Sequence, residues 1–594
     1  MGKFWRSLAL AVLVGLSALP ALAPAATLRS DGSTVLGAVA SDESLDFRIF
    51  LPARDPDGLA GLATRVSTPG DALYHHFLTP AEIAQRFGPA STSLDMLEAA
   101  ARQAGFQVVE RDAHGIRVIG AAGQVEAFIG TKLDHVQTSQ GEVLVGARTA
   151  LRLPTELKAL GAKIFAFAGA IHMHDGARQV PLEQTTAGTG PFLTSDLKQA
   201  YDAPSYQSLT GAGATIAILI DGSVASSDIQ ANFAAIGVAA PSFTVEPIDG
   251  GSTTSSFEAT LDVVQAGGFA PGASLIQYQV PILSDQAVID ALNQIVTDNK
   301  ADIVSMSFGS CELFYLAFWE VPFSQVDALL YEDEFFQQGV AQGITFVASS
   351  GDQGGLSCPP AGSAQPGSGS GTVPSSGSWV AGTQYPAASP NVTAVGGTNL
   401  MVTANSPNST YVLENADYDP MPQGSSTLTN NVWGSGGGYS VIFPQPSYQL
   451  LVKTGVSTRA VPDLALHMGG CPDGGCQGIR SFDYLVYQGT EVGAVGTSAS
   501  APDFAGVMAL IKQHTGSRQG RYNDTIYALA KAQAAGGAAV FHQDIPGNNA
   551  VYTSSATGSP AYNMVIGNGT LDIRKFMGVT NLPAAGTPGT PSNP

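Results

Sequence analysis

Thr215-Ile-Ala-Ile-Leu-Ile220, followed at once by Asp221-Gly222, is a short, β-branched and nearly all-apolar run that stops on a turn. A strand with one wet face alternates polar and apolar residues; this one does not, so both its faces must be covered. Residues 274–278, 303–306 and 344–348 are runs of the same kind. Helical patterns lie between them, among them 287–298 and 324–342. Buried strands alternating with helices predict an α/β domain, a parallel sheet flanked by helices. The Gly/Ser/Pro-rich stretch 353–381 reads as a surface loop within it.

Upstream the style is different. In residues 27–175 strand-like and helix-like segments alternate on a shorter scale. Thr79-Pro-Ala-Glu82 opens a helix with a capping box, and Pro80 takes its first position. Residues 94–104 read as a second helix, and 125–129 begin a third. Residues 106–109 and 116–119 read as strands joined through the turn at Ala113-His-Gly115. This predicts a smaller α+β unit. Residues 176–195 have linker chemistry and invite proteolytic nicking. The N-terminus carries two cations, an apolar run from Leu8 to Ala23 and the small-residue pattern Ala23-Pro24-Ala25. That is the pattern of a secretory signal, cleaved near residue 25. The expected order is therefore signal 1–25, α+β unit 26–175, linker 176–195, main domain 196–580 and a disordered tail 581–594.

The chain has 594 residues, 44% of them hydrophobic and only 13% charged, with a net charge of −21. Residues 1–185 hold 16 basic and 18 acidic side chains; residues 186–594 hold 11 and 30. So acidic a main domain repels phosphate backbones, which argues against nucleic acid as a partner. It also repels itself near neutral pH and approaches neutrality in acid. Four cysteines allow three pairings. Cys471 and Cys476 can close a small loop, which leaves Cys311 for Cys358; the absence of Cys-x-x-Cys speaks against zinc.

The sharpest motif is Gly496-Thr-Ser-Ala-Ser-Ala-Pro502, a small-residue turn running into the apolar 503–511. It places Ser498 at a helix entrance, where free N–H groups can stabilise an oxyanion. A serine nucleophile needs a base. Only His467, His514 and His542 lie in the main domain, none in a His-Gly-Thr context, although Asp221 and His467 precede Ser498 in the order a histidine-dependent subtilisin-type site would need. Carboxylates are the alternative. Glu258 and Asp262, in Ser255-Ser-Phe-Glu-Ala-Thr-Leu-Asp262, share one helix face at i, i+4, where sharing a proton raises one pKa. Ser255 with Glu258 also fits a capping box. Asp352, in Ser349-Ser-Gly-Asp-Gln-Gly354, follows a buried strand and, if kept neutral, can donate to an oxyanion.

Together these motifs resemble the sedolisin family, the kumamolisin-like serine-carboxyl peptidases. The matching strings are Phe257-Glu-Ala-Thr-Leu-Asp262, Ala348-Ser-Ser-Gly-Asp352 and Gly496-Thr-Ser498, supported by Ser389-Pro-Asn-Val-Thr-Ala-Val-Gly-Gly-Thr398, Gly434-Ser-Gly-Gly-Gly438 and Arg459-Ala-Val-Pro-Asp463. Tyr74-His-His-Phe-Leu-Thr-Pro80 and Phe87-Gly-Pro89 resemble the family's activation prodomain. The resemblance implies a subtilisin-like catalytic domain behind a ferredoxin-like prodomain, and a secreted, acid-active endopeptidase made as a zymogen. Its partners would be protein or peptide substrates and its own prodomain as an intramolecular inhibitor, with no membrane after export and a monomeric state. Ser498 would be the nucleophile, Glu258 the base, Asp262 the carboxylate hydrogen-bonded behind it and Asp352 the oxyanion donor. Ser307-Phe308-Gly309 would pair with substrate backbone. The alternatives are the histidine-dependent peptidase and an inactive peptidase scaffold that only binds.

The family also carries calcium near its C-terminus. Asp544 and Ile545 match the first two ligands, by side chain and by carbonyl. The later loop, usually like Gly-Pro-Gly-Trp-Asp, reads Ser559-Pro-Ala-Tyr-Asn563. The carbonyls of Ser559 and Ala561 remain, but Asn563 replaces an anionic ligand with a neutral one. The expectation is weakened calcium binding or none.

Overall fold

The computed structural model describes residues 27–28, 34–137, 142–169, 173–182, 188–316, 325–358, 379–403, 409–420, 432–471, 480–555 and 562–586. The expected signal 1–25, most of the 353–381 insertion and the end of the tail lie outside them.

Thr215–Asp221 is a strand whose five middle residues are all buried. It lies inside a parallel sheet, with Ser274–Val280 on one side and Ile303–Met306 on the other; Ile216 is level with both Leu275 and Ile303. Ser242–Pro247 extends the sheet beyond Ser274–Val280. Thr345–Ser349, Val392–Val402 and Leu464–His467 extend it the other way, still parallel. Tyr411–Asn415 adds the single antiparallel strand among these eight, pairing with the far end of Val392–Val402. Helices Phe257–Phe269 and Thr497–Thr515 pack on each other and against the sheet, while Asp285–Asp298 and Val326–Ala341 pack together as a second helical layer. Every residue of Phe257–Phe269 after its first is buried, its two catalytic candidates included.

The smaller unit is α+β, as expected. The strand Ser44–Phe50 pairs antiparallel with Gly115–Ala121, which pairs with Gln107–Arg111. Helices Ser91–Gln103 and Ala122–Ile129 complete a β-α-β-β-α-β order with Leu133–Gln137. In a ferredoxin-like sheet that last strand pairs with the first. Here it pairs with Thr34–Ala38, the arm just upstream, while Val39 donates to the Leu133 carbonyl at 3.1 Å. The first strand is thus broken by the turn at 41–42 rather than missing. The Thr79–Glu82 capping box forms with both of its bonds.

The two units share apolar core. Phe50, Leu59, Leu62, Val66 and Phe87 of the smaller unit pack into the main domain's cluster. Ionic contacts cross as well: Arg48 with Asp290 at 3.1 Å, Arg117 with Asp249 at 2.9 Å, and Lys163 with Asp327. In each the cation comes from the smaller unit and the carboxylate from the acidic domain. Cys311 and Cys358 form a disulfide; Cys471 is disulfide-bonded too, and Cys476 lies outside the described residues.

Candidate active site

Gly496 caps the helix Thr497–Thr515 at φ +141°, backbone that a side chain would strain. Neither Thr497 nor Ser498 is the N-cap. Ser498 is instead the second helical residue, inside the first turn, where backbone N–H groups have no intrahelical partner. Its hydroxyl makes no hydrogen bond with a described residue.

Three carboxylates, two from one helix and one from the turn after a strand, are buried around it. Glu258 comes from the first turn of Phe257–Phe269, whose cap is Ser256, bonded to the Ala259 N–H at 3.0 Å. The expected Ser255–Glu258 capping box therefore does not form, which leaves the Glu258 side chain free for other work. Its pKa is raised well above the ordinary 4.5, first by burial, then by the charges of Asp175 and Asp262; the nearby Ser498 hydroxyl works the other way. Asp262, one turn on, is likewise pushed up by burial, opposed by a 2.5 Å bond from the Ser307 hydroxyl. Among the described residues, one oxygen of each acid, Glu258 Oε1 and Asp262 Oδ2, accepts from no donor. The Ser307 side chain thus serves Asp262.

Asp352 follows the strand Thr345–Ser349. Its Oδ1 accepts from both the N–H and the hydroxyl of Thr497, each at 2.7 Å. Burial lifts its pKa to about 6 against those two bonds. Its Oδ2 has no hydrogen-bond partner among the described residues. Thr497 therefore aims Asp352, a role that sequence reasoning missed; the Gly-Thr-Ser string was the available signal.

The cleft is filled by the chain itself. His174–Asp175 pairs antiparallel with Phe308–Cys311, with Asp175 opposite Phe308 and His174 opposite Gly309. Ala177 N–H donates to Glu258 Oε2 at 2.9 Å. Arg178–Val180 then joins the edge of Thr490–Val495. The first residues of the expected linker 176–195 are thus laid across the site, which explains why Ser498, Glu258, Asp262 and Asp352 are all 1% exposed or less. Residues 183–187 of that linker lie outside the described residues.

None of the three histidines serves Ser498. His467 is wholly buried; its Nδ1 accepts from Leu400 N–H at 3.3 Å, its Nε2 lies 3.5 Å from Asp483, and burial holds its pKa near 3. His514 is exposed in the last turn of the helix that Ser498 begins, roughly 24 Å away at 1.5 Å per residue. His542 stacks on Tyr411. Asp221 ends its strand with a pKa lifted to about 7, by burial and then by Asp175, and has no histidine to orient.

The described part of the expected calcium set does not fit an ion. Asn563 Oδ1 already accepts from Val565 and Ile566 N–H at 3.0 and 3.1 Å. The Ile545 carbonyl accepts from the Ser554 hydroxyl at 2.6 Å, and Asn563 Nδ2 donates back to that oxygen at 3.2 Å. Asp544 is exposed. Ser559 and Ala561 lie outside the described residues. Among the described residues no three His, Cys, Asp or Glu side chains come together as a cation site.

Residues 31–162 match the family model of the pro-kumamolisin activation domain, and residues 248–544 that of the subtilase family. The chain is 27% identical to xanthomonalisin of Xanthomonas sp. (strain T-22), over 92% of this chain and 67% of that protein. It is 26% identical to sedolisin of Pseudomonas sp. (strain 101), over 91% and 87%. Its fold is similar to that of a solved Pseudomonas sedolisin, a serine-carboxyl proteinase complexed with two molecules of pseudo-iodotyrostatin: TM-score 0.54, 26% identity, 67% of this chain and 99% of that one.

Proposed function

The chain belongs to the subtilase family, as a sedolisin-type serine-carboxyl peptidase with its own activation domain, and on that premise we propose that it is exported as a zymogen and cleaves peptide bonds in acid through Ser498, Glu258, Asp262 and Asp352. The observation that carries this reading is the convergence of a serine and three buried carboxylates, with none of the main domain's three histidines serving the serine. Glu258 takes the Ser498 proton as the hydroxyl attacks a carbonyl carbon. Asp262, held by Ser307, sets how readily Glu258 gives and takes that proton. Asp352, protonated on Oδ2, donates to the oxyanion that forms. An inactive scaffold gains nothing from burying so many carboxylates, each costly when ionised.

The test is the intact mass of the precursor with time, held at about pH 4 and about pH 7. An N-terminal fragment should be lost in acid and retained near neutrality. A precursor that stays whole and inactive throughout the acid range overturns the reading.

Asp352 gives the pH dependence its sign. Only the protonated acid donates, and that form is lost as pH rises through about 6. Activity should therefore fall on this alkaline side. Asp352→Asn keeps a donor that does not titrate, so the limb in kcat/KM should flatten; a limb left unchanged assigns it to another group. Asp352→Ala should lower kcat by about 10²–10³.

Release of the activation domain has opposing contributions. Asp112 is lifted by burial but lowered more by His114, Arg48 and its hydrogen bonds, so its net pKa is depressed. Its stabilisation is present at neutral pH and lost as pH falls through that lowered value. Asp290, raised by burial despite Arg48, works the other way and favours the docked state in acid.

The C-terminal loop is proposed to hold without calcium, through the Ser554 and Asn563 hydrogen bonds. Thermal unfolding with added calcium and with a chelator should then coincide; a lower Tm under chelation shows that an ion is held after all.

A further inference from the structure

We infer that the precursor opens itself first at one bond, Gly176–Ala177, with His174, Asp175 and Gly176 on the acyl side and Ala177-Arg178-Gln179-Val180 on the leaving side. This rests on reading Ser498 as the nucleophile, and goes beyond it by fixing the register of the chain's own segment in the cleft.

Four observations set that register independently. On the acyl side, His174 and Asp175 form an antiparallel ladder with Gly309 and Phe308, which is β-augmentation by main chain. At the centre, a Cβ built on Gly176 would stand 2.6 Å from Asp352 Oδ2 and 3.7 Å from Ser498 Oγ. The residue that meets both the nucleophile and the oxyanion donor is therefore Gly176. On the leaving side, the Ala177 N–H points to Glu258 Oε2 at 2.9 Å, the atom pair between which a leaving amine is protonated. Beyond it, Arg178, Gln179 and Val180 are paired with Val495, Ala494 and Gly493. A shift of one residue either way would put a different N–H on Glu258 and turn each strand residue to the opposite face.

The step balances within these groups and one water. Ser498 Oγ attacks the Gly176 carbonyl carbon while Glu258, in the fraction of precursors in which it is ionised, takes the hydroxyl proton, and Asp352 Oδ2–H donates to the carbonyl oxygen as it gains charge. The C–N bond then breaks, Glu258 returns its proton to the Ala177 nitrogen, and Gly176 is left as an ester on Ser498. Water, deprotonated by Glu258, adds to that ester; Ser498 leaves with the proton, and the activation segment departs with a C-terminal Gly176 carboxylate. The mature chain begins at Ala177, still anchored by Arg178–Val180 on its strand.

Glycine at 176 is part of this assignment, because a side chain there would collide with the oxygen that must receive the oxyanion. The experiment is N-terminal sequencing of the first products from the full-length precursor at about pH 4, for wild type and Gly176→Val. The wild type should yield Ala177 as its first new N-terminus. Gly176→Val should make that cut about tenfold more slowly or worse, since small misplacements at the reacting centre cost that much, with an unchanged Tm excluding misfolding. A wild-type first cut at any other bond overturns this assignment and leaves the peptidase reading standing. A precursor that never cuts itself overturns both. A Gly176→Val precursor cut after residue 176 at the wild-type rate overturns the close approach to Asp352.

Discussion

A Ser498→Ala precursor held at about pH 4 is expected to keep its full length, with the first-order rate of self-cleavage reduced by about 10⁴-fold or more, the scale seen when a serine nucleophile is removed. The structure makes this substitution unusually clean. Ser498 Oγ meets no described residue at hydrogen-bond geometry, and Glu258, the acid whose pKa it lowers, keeps the Ala177 N–H when it is removed. Alanine is the best helix former, and position 498 already lies inside the helix Thr497–Thr515. The Thr497 bonds that aim Asp352 come from the neighbouring residue and are untouched. The variant should therefore unfold at the wild-type Tm and keep residues 174–180 in the cleft, a stalled complex of an enzyme with its own substrate. Time-resolved intact mass of both precursors gives the comparison. A Ser498→Ala chain that still shortens itself, in the absence of any other protease, removes Ser498 from the reaction.

The sheet was legible in the sequence wherever a strand was continuous and apolar. The run 303–306 was read to the residue, and 215–220 to within one. Val392–Val402 was noticed only as a motif, although it is the longest strand described. Gly396-Gly397 lowers its β-propensity, and the reason is three-dimensional: a Cβ on Gly397 would overlap Met468. In the site, Glu258, Asp262, Asp352 and Ser498 could be found because each stands in its own short string. Their supports could not. Ser307 reaches Asp262 across 45 residues and Thr497 reaches Asp352 across 145, contacts that no local pattern encodes. Residues 176–180 were read as linker because their composition is that of one, and 174 and 175 as the end of the α+β unit. Their strand character comes from the edges they complete, Phe308–Cys311 and Thr490–Val495, and not from their own side chains.

Glu258→Gln should be nearly as damaging as loss of the serine, with self-cleavage slowed by about 10⁴-fold, yet it should make the precursor more stable near neutral pH. Both effects follow from the same burial. The amide matches the carboxylate in shape, and its oxygen can still accept the Ala177 N–H, so the segment stays docked. It cannot take the Ser498 proton, and none of the main domain's three histidines serves Ser498. In the wild type, Glu258 is raised well above 4.5 by burial and by the charges of Asp175 and Asp262. Its contribution to stability is therefore fully present below its ordinary pKa and is lost as pH rises through the raised value. Glutamine never ionises, so it does not suffer that loss. Wild type and Glu258→Gln should have matching Tm at about pH 4, and the variant a higher Tm at about pH 7. A variant that self-cleaves at close to the wild-type rate would place the base elsewhere. A variant slow in cleavage but equal to wild type in Tm at both pH values would mean that Glu258 has the same pKa in the folded and unfolded chain, against the upward shift that its burial implies.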